Sequence, residues 1–420
     1  LHVARLINEA REASAWGVTF AEPEIDIDKL RKFKNDVVGK LTGGLGQLSS
    51  ARKITYLRGW ARFLDAKTLE VEDGDGNSQK LSFRHAIIAT GSRPAMIPGL
   101  PEESSRVMDS SAALELTDVP GKLLVIGGGY IGLEMATVYA ALGSKVTVVE
   151  MTSGLLPGAD RDLVNQLKKR LDSQLEDILL KTKVTEVKER KDGLKVTIQE
   201  GDDTRSMIVD RVLVSVGRKP NTKDFGLEHT RVAVGDDGFI VVDPQRRTAE
   251  EQIFAIGDVT GDPMLAHKAS HEARVAVDAI AGKKTAFEPW AIPAVVFTDP
   301  EIAWAGLTET EARDQGRKVE IARFPWAASG RATTLDRFDG VTKIIADPES
   351  ERVLGIGIAG PGAGELIAEG VLAIEMAATV RDLALSIHPH PTLSETLMEA
   401  AEVYYGHSTH LFRPKKGDKK

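Results

Sequence analysis

The stretch Leu123-Leu-Val-Ile-Gly-Gly-Gly-Tyr-Ile-Gly-Leu-Glu134 runs four apolar residues into Gly127-x-Gly129-x-x-Gly132 and then into a helical pattern. A second apolar run, Val146-Thr-Val-Val-Glu150, ends in an acid 18 residues after Gly132. Strand, glycine turn, helix, strand and acid, in that order, make the unit that holds a dinucleotide. Gly127 allows the tight turn, Gly129 lets the backbone approach a pyrophosphate, and Gly132 packs the helix on the strand. Gly128, Tyr130 and Ile131 fill the positions between, where helix-start N–H groups favour a phosphate. A glycine turn with no ligand is the plainer reading. The register of all five parts favours the nucleotide.

Glu150 also selects between cofactors. A carboxylate at the end of the second strand accepts bonds from both ribose hydroxyls and repels a 2′-phosphate. The residues that follow, Met151-Thr-Ser-Gly154, bring no arginine to neutralise one. NAD is expected over NADP.

The rest of the composition narrows the class. A chain of 420 residues with 42% apolar and 28% charged residues has the make-up of a soluble globular protein of several domains. A net charge of −8 argues against a nucleic-acid partner. No apolar run reaches the ~18 residues that span a bilayer, and no signal-peptide pattern opens the chain. No membrane partner is expected, and the expected setting is cytoplasmic, or the mitochondrial matrix in a eukaryote. The chain has no cysteine, which leaves these residues without disulfides, thiolate metal ligands or a thiol nucleophile.

Apolar periodicity places helices over 1–16 and Ile27–Leu48, and strands over Lys53–Trp60, Thr68–Glu72 and Lys80–Ala89. Gly74-Asp-Gly-Asn77 reads as a hairpin turn, and a second hairpin is expected around Lys191-Asp-Gly193. A strand is expected to end at Val216-Gly217-Arg218. Thr90–Gly99 reads as a domain crossing, with Ile253–Asp258 a strand and Met264–Ala281 a helix. From 291 onward strands at Val295–Phe297, Val319–Phe324, Val341–Ala346 and Val353–Ala359 precede helices that run to Tyr405, the order of a separate α+β unit. Gly355-Ile-Gly357-Ile-Ala-Gly360 also fits the glycine fingerprint. Its apolar alternation runs on through the glycines and no second strand with an acid follows, so a strand ending in a turn is expected.

Two further groups of residues could carry chemistry. Asp258, at the end of an apolar strand, could bond the sugar-like part of a cofactor or simply cap a turn. In Ile387-His-Pro-His-Pro-Thr-Leu-Ser-Glu395, two prolines hold His388 and His390 extended before a helix. Thr392-x-x-Glu395 matches a capping box, so Glu395 has a purely structural reading. A metal site is disfavoured because no cysteine and no helical carboxylate–histidine pair accompanies the histidines.

Taken together, the chain resembles the pyridine-nucleotide flavoprotein disulfide reductases over nearly its whole length. The residues that carry the resemblance are Ala89-Thr-Gly-Ser-Arg-Pro94, Gly127–Glu134, Phe254-Ala-Ile-Gly-Asp258, Pro263-Met-Leu-Ala-His-Lys268, Phe324-Pro-Trp-Ala-Ala-Ser-Gly-Arg331 and His388–Glu395. It implies an α/β fold: two Rossmann-like nucleotide-binding domains, the first truncated at its N-terminus, and a C-terminal α+β dimerisation domain. The implied boundaries are 1–110 for the FAD domain, 111–235 for the NAD domain, 236–290 for the return into the FAD domain and 291–413 for the interface. Residues 414–420 form a basic tail.

The resemblance is to the branch that oxidises dihydrolipoamide with NAD through a disulfide and FAD. It implies a homodimer working with the lipoyl domains of 2-oxo acid dehydrogenase complexes. Gly127–Gly132, Glu150, Val184 and Gly217 would then surround NAD. Ala61, Gly257, Asp258, Met264, Leu265, Ala266 and His267 would lie along FAD. His390 would be the base, oriented by Glu395, and would serve the partner subunit's site. The pairing is chemically sound. An ordinary thiol near pKa ~8.5 gives a proton to an imidazole near ~6.5 at a cost of about 2.7 kcal/mol, which a carboxylate beside the ring reduces.

One departure is large. The family's N-terminal βαβ unit of roughly 30 residues, its FAD fingerprint and a following Cys-x4-Cys pair have no counterpart here. The chain is expected to be a truncated form of the dehydrogenase, inactive as it stands. The competing readings are another flavoprotein disulfide reductase and a non-catalytic remnant that binds NAD or assists assembly.

Overall fold

The computed structural model describes residues 1–101 and 103–411. The expected tail at 414–420, and the last residues of the expected interface domain, lie outside these. The chain divides into two compact units, one of 1–25, 96–216 and 289–420, the other of 26–95 and 217–288. These limits differ from the expected ones. Residues 1–25 cluster with the glycine-turn segment because the helix His2–Glu12 packs on the helix Tyr130–Ala141.

Among the described residues the first unit holds three sheets, the smallest being the antiparallel set Thr182–Arg190, Gly193–Glu200 and Asp203–Val209. A second is parallel, in the spatial order Val107–Met108, Arg211–Val214, Lys122–Ile126, Lys145–Val149, Asp177–Leu179. Its central strands read as unbroken apolar runs because helices cover a parallel sheet, and Leu123, Leu124, Val125, Val146 and Val148 are at most 1% exposed. The expected strand end at Val216–Arg218 moves back to Val214. The hairpin at Lys191-Asp192 joins Thr182–Arg190 to Gly193–Glu200.

The third sheet is antiparallel, in the order Ala294–Val296, Ile302–Gly306, Val353–Ala359, Val341–Ala346, Glu320–Pro325. The glycine-rich Val353–Ala359 is a central strand, as expected, and Gly360 beyond it closes on Trp326. A Cβ at Gly360 or at Gly340 would stand 2.3 Å from the Trp326 ring. The Trp326 indole N–H donates to Thr342 Oγ1 at 2.9 Å, and Thr342 Oγ1 donates to Thr396 Oγ1 at 2.8 Å. This chain of bonds ties the sheet to the helix Glu395–Tyr405.

Lys343 lies in the middle of that sheet and is 1% exposed. A buried ammonium needs partners. Its Nζ donates to Asp160 at 2.6 Å and to Asp162 and Glu309 at 2.8 Å each. The three carboxylates stand close enough together to share a cation, and the lysine supplies it.

The second unit contains the helix Ile27–Ala51, an antiparallel sheet of Trp60–Asp65, Thr68–Glu72 and Ser78–Ser82, and the parallel pair Ala86–Ile88 with Ile253–Ala255. Asp73 and Asn77 close the expected hairpin. Two strand expectations fail. Residues 53–58 are irregular: Ile54 and Tyr56 alternate like a strand but stand 57% and 80% exposed. Lys80–Ala89 breaks near Arg84 into strands of two different sheets. Ser92–Pro94, inside the expected crossing, pairs with Arg218–Pro220.

Candidate functional site

The buried strand Lys122–Ile126 delivers the chain to the glycine turn. Gly127 has φ +110°, a conformation that disfavours side chains. A Cβ there would lie 2.4 Å from the Ser215 carbonyl oxygen, and one at Gly132 would lie 2.2 Å from the Gly127 oxygen. A Cβ at Gly128 would meet Leu155 at 2.6 Å. At Gly129 nothing lies within 4 Å, so the open side of the turn is there. Gly129 is also the N-cap of the helix Tyr130–Ala141, which has no side-chain cap; Tyr130 is exposed and Ile131 half-buried. An uncapped helix start with an open glycine before it suits an anion.

Glu150 is 9% exposed. Its Oε2 accepts the N–H of Gly128 and its Oε1 that of Thr152, both at 2.7 Å. The acid therefore braces the turn as well as ending the strand, and each oxygen keeps a further lone pair. The nearest arginine in sequence, Arg161, is spent on the carbonyls of Leu155, Leu156 and Ala159 at 2.6, 2.7 and 2.5 Å. Val184 is half-buried beside a bulge in Thr182–Arg190. Gly217, with φ +120°, belongs to the other unit, where its carbonyl accepts the N–H of Ala95.

In that second unit Ile253–Ala255 leads into a 3-10 turn over Gly257–Thr260. Gly257, at φ +79°, is buried. Asp258 Oδ2 accepts from Ser92 Oγ at 2.6 Å, and Ser92 Oγ accepts from Arg218 at 2.7 Å. Behind the turn the carboxylate of Glu272, 0% exposed, accepts the Gly257 N–H at 2.6 Å and Arg246 Nη1 at 2.9 Å. Lys268 Nζ stands 3.2 Å from Glu272 and donates to the carbonyls of Gly257 and Gly261. Lys268 and Glu272 escaped the sequence reading; their signal was an i,i+4 opposite-charge pair on an otherwise ordinary helix. Met264 and Leu265 are half-buried and Ala266 and His267 exposed where the helix Ala266–Ile280 begins. Ala61 is exposed in a different element, opposite Val71 in the antiparallel sheet.

The two histidines of the His-Pro-His-Pro segment separate cleanly. His388, with its side chain 7% exposed, has Nε2 at 2.8 Å from Glu369 and Nδ1 at 2.9 Å from the Ser386 carbonyl. Both ring nitrogens face acceptors. His390, 67% exposed, has Nδ1 at 2.8 Å from Glu395 Oε1, and among the described residues its Nε2 has no hydrogen-bond partner. Glu395 is held below the ordinary glutamate value. Burial pushes it up, but the Thr392 N–H, His390 and the charge of His410 outweigh that. An ionised carboxylate only accepts, so Nδ1 carries the hydrogen and Nε2 is left to take a proton. The capping box forms by half. Glu395 Oε2 accepts the Thr392 N–H at 2.7 Å, while Thr392 Oγ1 donates to Pro389 and the helix starts after Ser394. The carboxylate serves cap and base together.

Glu134, on the glycine-turn helix, is a third residue to which the sequence alone assigns no role. Burial pushes its carboxyl up, against the Phe297 N–H that donates to it at 2.9 Å. A lone acid in an apolar helix was the available signal.

The pattern of the family "Pyridine nucleotide-disulphide oxidoreductase" matches residues 5–273, and that of its dimerisation domain matches residues 292–401. The dihydrolipoyl dehydrogenase of Vibrio cholerae is 48% identical over the whole of this chain and 88% of its own length. That of Haemophilus influenzae is 48% identical over all of this chain and 87% of its own. Among solved structures, LpdA of Mycobacterium tuberculosis superposes with TM-score 0.88 over 96% of this chain and 88% of its own, at 24% identity, which speaks for the fold. The flavoprotein disulfide reductase RclA of Escherichia coli, as its Cu(II) complex, has TM-score 0.84 at 29% identity, over 95% of this chain and 88% of its own. Among the described residues no helix is long and apolar enough to cross a membrane.

Proposed function

The chain belongs to the pyridine nucleotide-disulphide oxidoreductases, and from that premise we propose that it carries the NAD-binding and proton-handling parts of a dihydrolipoamide dehydrogenase. The observation that carries this reading is the His390–Glu395 pair, with Nδ1 bonded at 2.8 Å and the other ring nitrogen facing outward. Glu395 fixes the tautomer with Nε2 bare, so His390 takes a proton from a thiol and makes the thiolate that attacks a disulfide. NAD would lie on the Gly127–Gly132 turn with its ribose at Glu150, and Val184 and Gly217 are further candidates for its surroundings. The open position at Gly129 supports a bound pyrophosphate, and Glu150 with the committed Arg161 supports NAD over NADP.

Enzymes of this family also use FAD, which relays electrons between dithiol and nicotinamide. Asp258 and Gly257 would meet it, with Met264–His267 and Ala61 along its length; the Asp258 oxygen not held by Ser92 fits a ribityl hydroxyl. The dimerisation domain supports a homodimer. The proposal includes His390 serving the partner subunit's site, lipoyl domains of a 2-oxo acid dehydrogenase complex as partners, and a cytoplasmic setting. The 420 residues contain no cysteine, so the thiol–disulfide pair is not among them and this chain is expected not to turn over lipoamide. That absence favours the second reading, an NAD-binding assembly remnant.

Titration of the purified chain with NADH and NADPH, read by nicotinamide fluorescence, tests the first part; tighter binding of NADPH would overturn it. In a form joined to a Cys-x4-Cys segment, His390→Gln should slow dihydrolipoamide oxidation at least tenfold and spare NADH-to-dye transfer. Equal loss of both rejects the base assignment. No oxidation by the joined form leaves the remnant reading.

A further inference from the structure

A second histidine–carboxylate pair lies beside the first. Glu399 stands four residues after Glu395 on the helix Glu395–Tyr405, on the same face. Its side chain is 5% exposed, and a buried carboxylate costs stability unless it is bonded. Two donors come from beyond the helix: Ser408 Oγ at 2.7 Å and the Nδ1 of His410 in a short bond. These bonds fold the chain after Gly406 back onto the helix. His410 itself remains 48% exposed.

Satisfying Glu399 would be enough to explain His410 if the two stood alone. They do not. His390, Glu395, Glu399 and His410 line one small cleft, and the remaining lining of Phe324, Ser329, Gly330 and Thr396 carries no charge. A Cβ at Gly330 would already touch the His390 ring at 3.9 Å. The four titratable groups therefore share one cleft, with both carboxylates largely buried and both imidazoles reaching solvent, so the charge of one group acts on the others at short range. An unpaired Glu399 would act on His390 as a second carboxylate, over-stabilising the imidazolium and hindering release of its proton.

We propose that Glu399 and His410 form a pair in which His410 offsets the Glu399 charge that would otherwise face His390 and Glu395, which makes His410 a positioning residue for the base. The inference rests on the reading of His390 as that base, and its test does not require turnover. Histidine ring signals of ¹⁵N-labelled protein are followed by NMR against pH, with His390 identified by its loss in His390→Gln. In His410→Gln the negative charge of Glu399 is left uncompensated, so the His390 midpoint should rise by a few tenths of a pH unit. In Glu399→Gln/His410→Gln the cleft is balanced again, and the midpoint should return to that of the parent.

An unchanged or lowered midpoint in His410→Gln overturns the proposal. So does a shift that persists in the double variant, because it would then come from displaced structure and not from charge. Failure of the dehydrogenase reading would appear as absent dihydrolipoamide oxidation in the joined form and would leave these titrations as they are.

Discussion

The carboxylate of Glu150 holds the N–H of Gly128 at 2.7 Å, across the gap between two neighbouring parallel strands. One side chain thus sets the shape of the turn and presents the acid that meets a ribose. Glu150→Ala should act twice. It leaves the N–H groups of Gly128 and Thr152 without their acceptor, at about 1–3 kcal/mol of stability. It should also weaken NADH binding more than tenfold, with a smaller loss for NADPH. Thermal unfolding and fluorescence titration read the two effects separately. A variant that binds NADH normally refutes the assignment.

The glycines of the turn should part company. A methyl at Gly132 collides with backbone at 2.2 Å, whereas one at Gly129 meets open space. Gly132→Ala is expected to lower the melting temperature by several degrees and abolish nucleotide binding. Gly129→Ala should melt like the parent and lose affinity only. Similar melting losses in both would show that the open side is not where the nucleotide approaches.

The adjacent histidines offer a comparable contrast. His388→Gln breaks the contacts of a largely covered ring to Glu369 and Ser386 and should cost about 1 kcal/mol in denaturant unfolding. His390→Gln, at an exposed position, should leave stability within about 0.5 kcal/mol of the parent. The reverse order would mean that the roles of the two rings have been exchanged.

Acid should find the Lys343 cluster. Burial opposes ionisation of Asp162, but Lys343 and Arg323 hold its carboxyl below the ordinary range. Its folded value therefore lies below its unfolded one, so its contribution is present above about pH 4 and is lost as pH falls through the folded value. Lys343→Met removes the buried cation from three carboxylates, leaving Arg323 on Asp162 and Glu309 but, among the described residues, no cation bonded to Asp160, and should cost about 3–5 kcal/mol near pH 7. The deficit should narrow at pH 4, where protonated carboxyls need no cation. Urea unfolding at both pH values checks this, and a deficit that is the same at each contradicts it.

What could be read from the sequence was what neighbours in sequence decide. Gly127, Gly129, Gly132 and Glu150 announce themselves because turn, helix and strand are contiguous and their apolar periods are regular. Four of the five described strands after 291 were equally plain, since alternation and length agree, while Ile302–Gly306 was not expected. The failures share another cause. Ile54 and Tyr56 have strand propensity but no partner strand among the described residues, and pairing makes a strand. His388 and His390 are alike by spacing, and a residue 19 positions earlier, Glu369, tells them apart. Lys343 lies inside the expected strand Val341–Ala346, and nothing near it in sequence points to its three acids, which come from positions as distant as Asp160.

Trp326 is fully buried between two glycines, while Trp16, Trp60 and Trp290 are 53%, 66% and 69% exposed. Its indole is bonded through Thr342 to the helix that carries Glu395. Ultraviolet emission should consequently contain a short-wavelength component dominated by this ring, with a smaller share from the half-buried Trp304, and Trp304→Phe isolates it. Any loosening of the shelf beneath His390 would move that component to the red, an optical report on the base that requires neither flavin nor substrate.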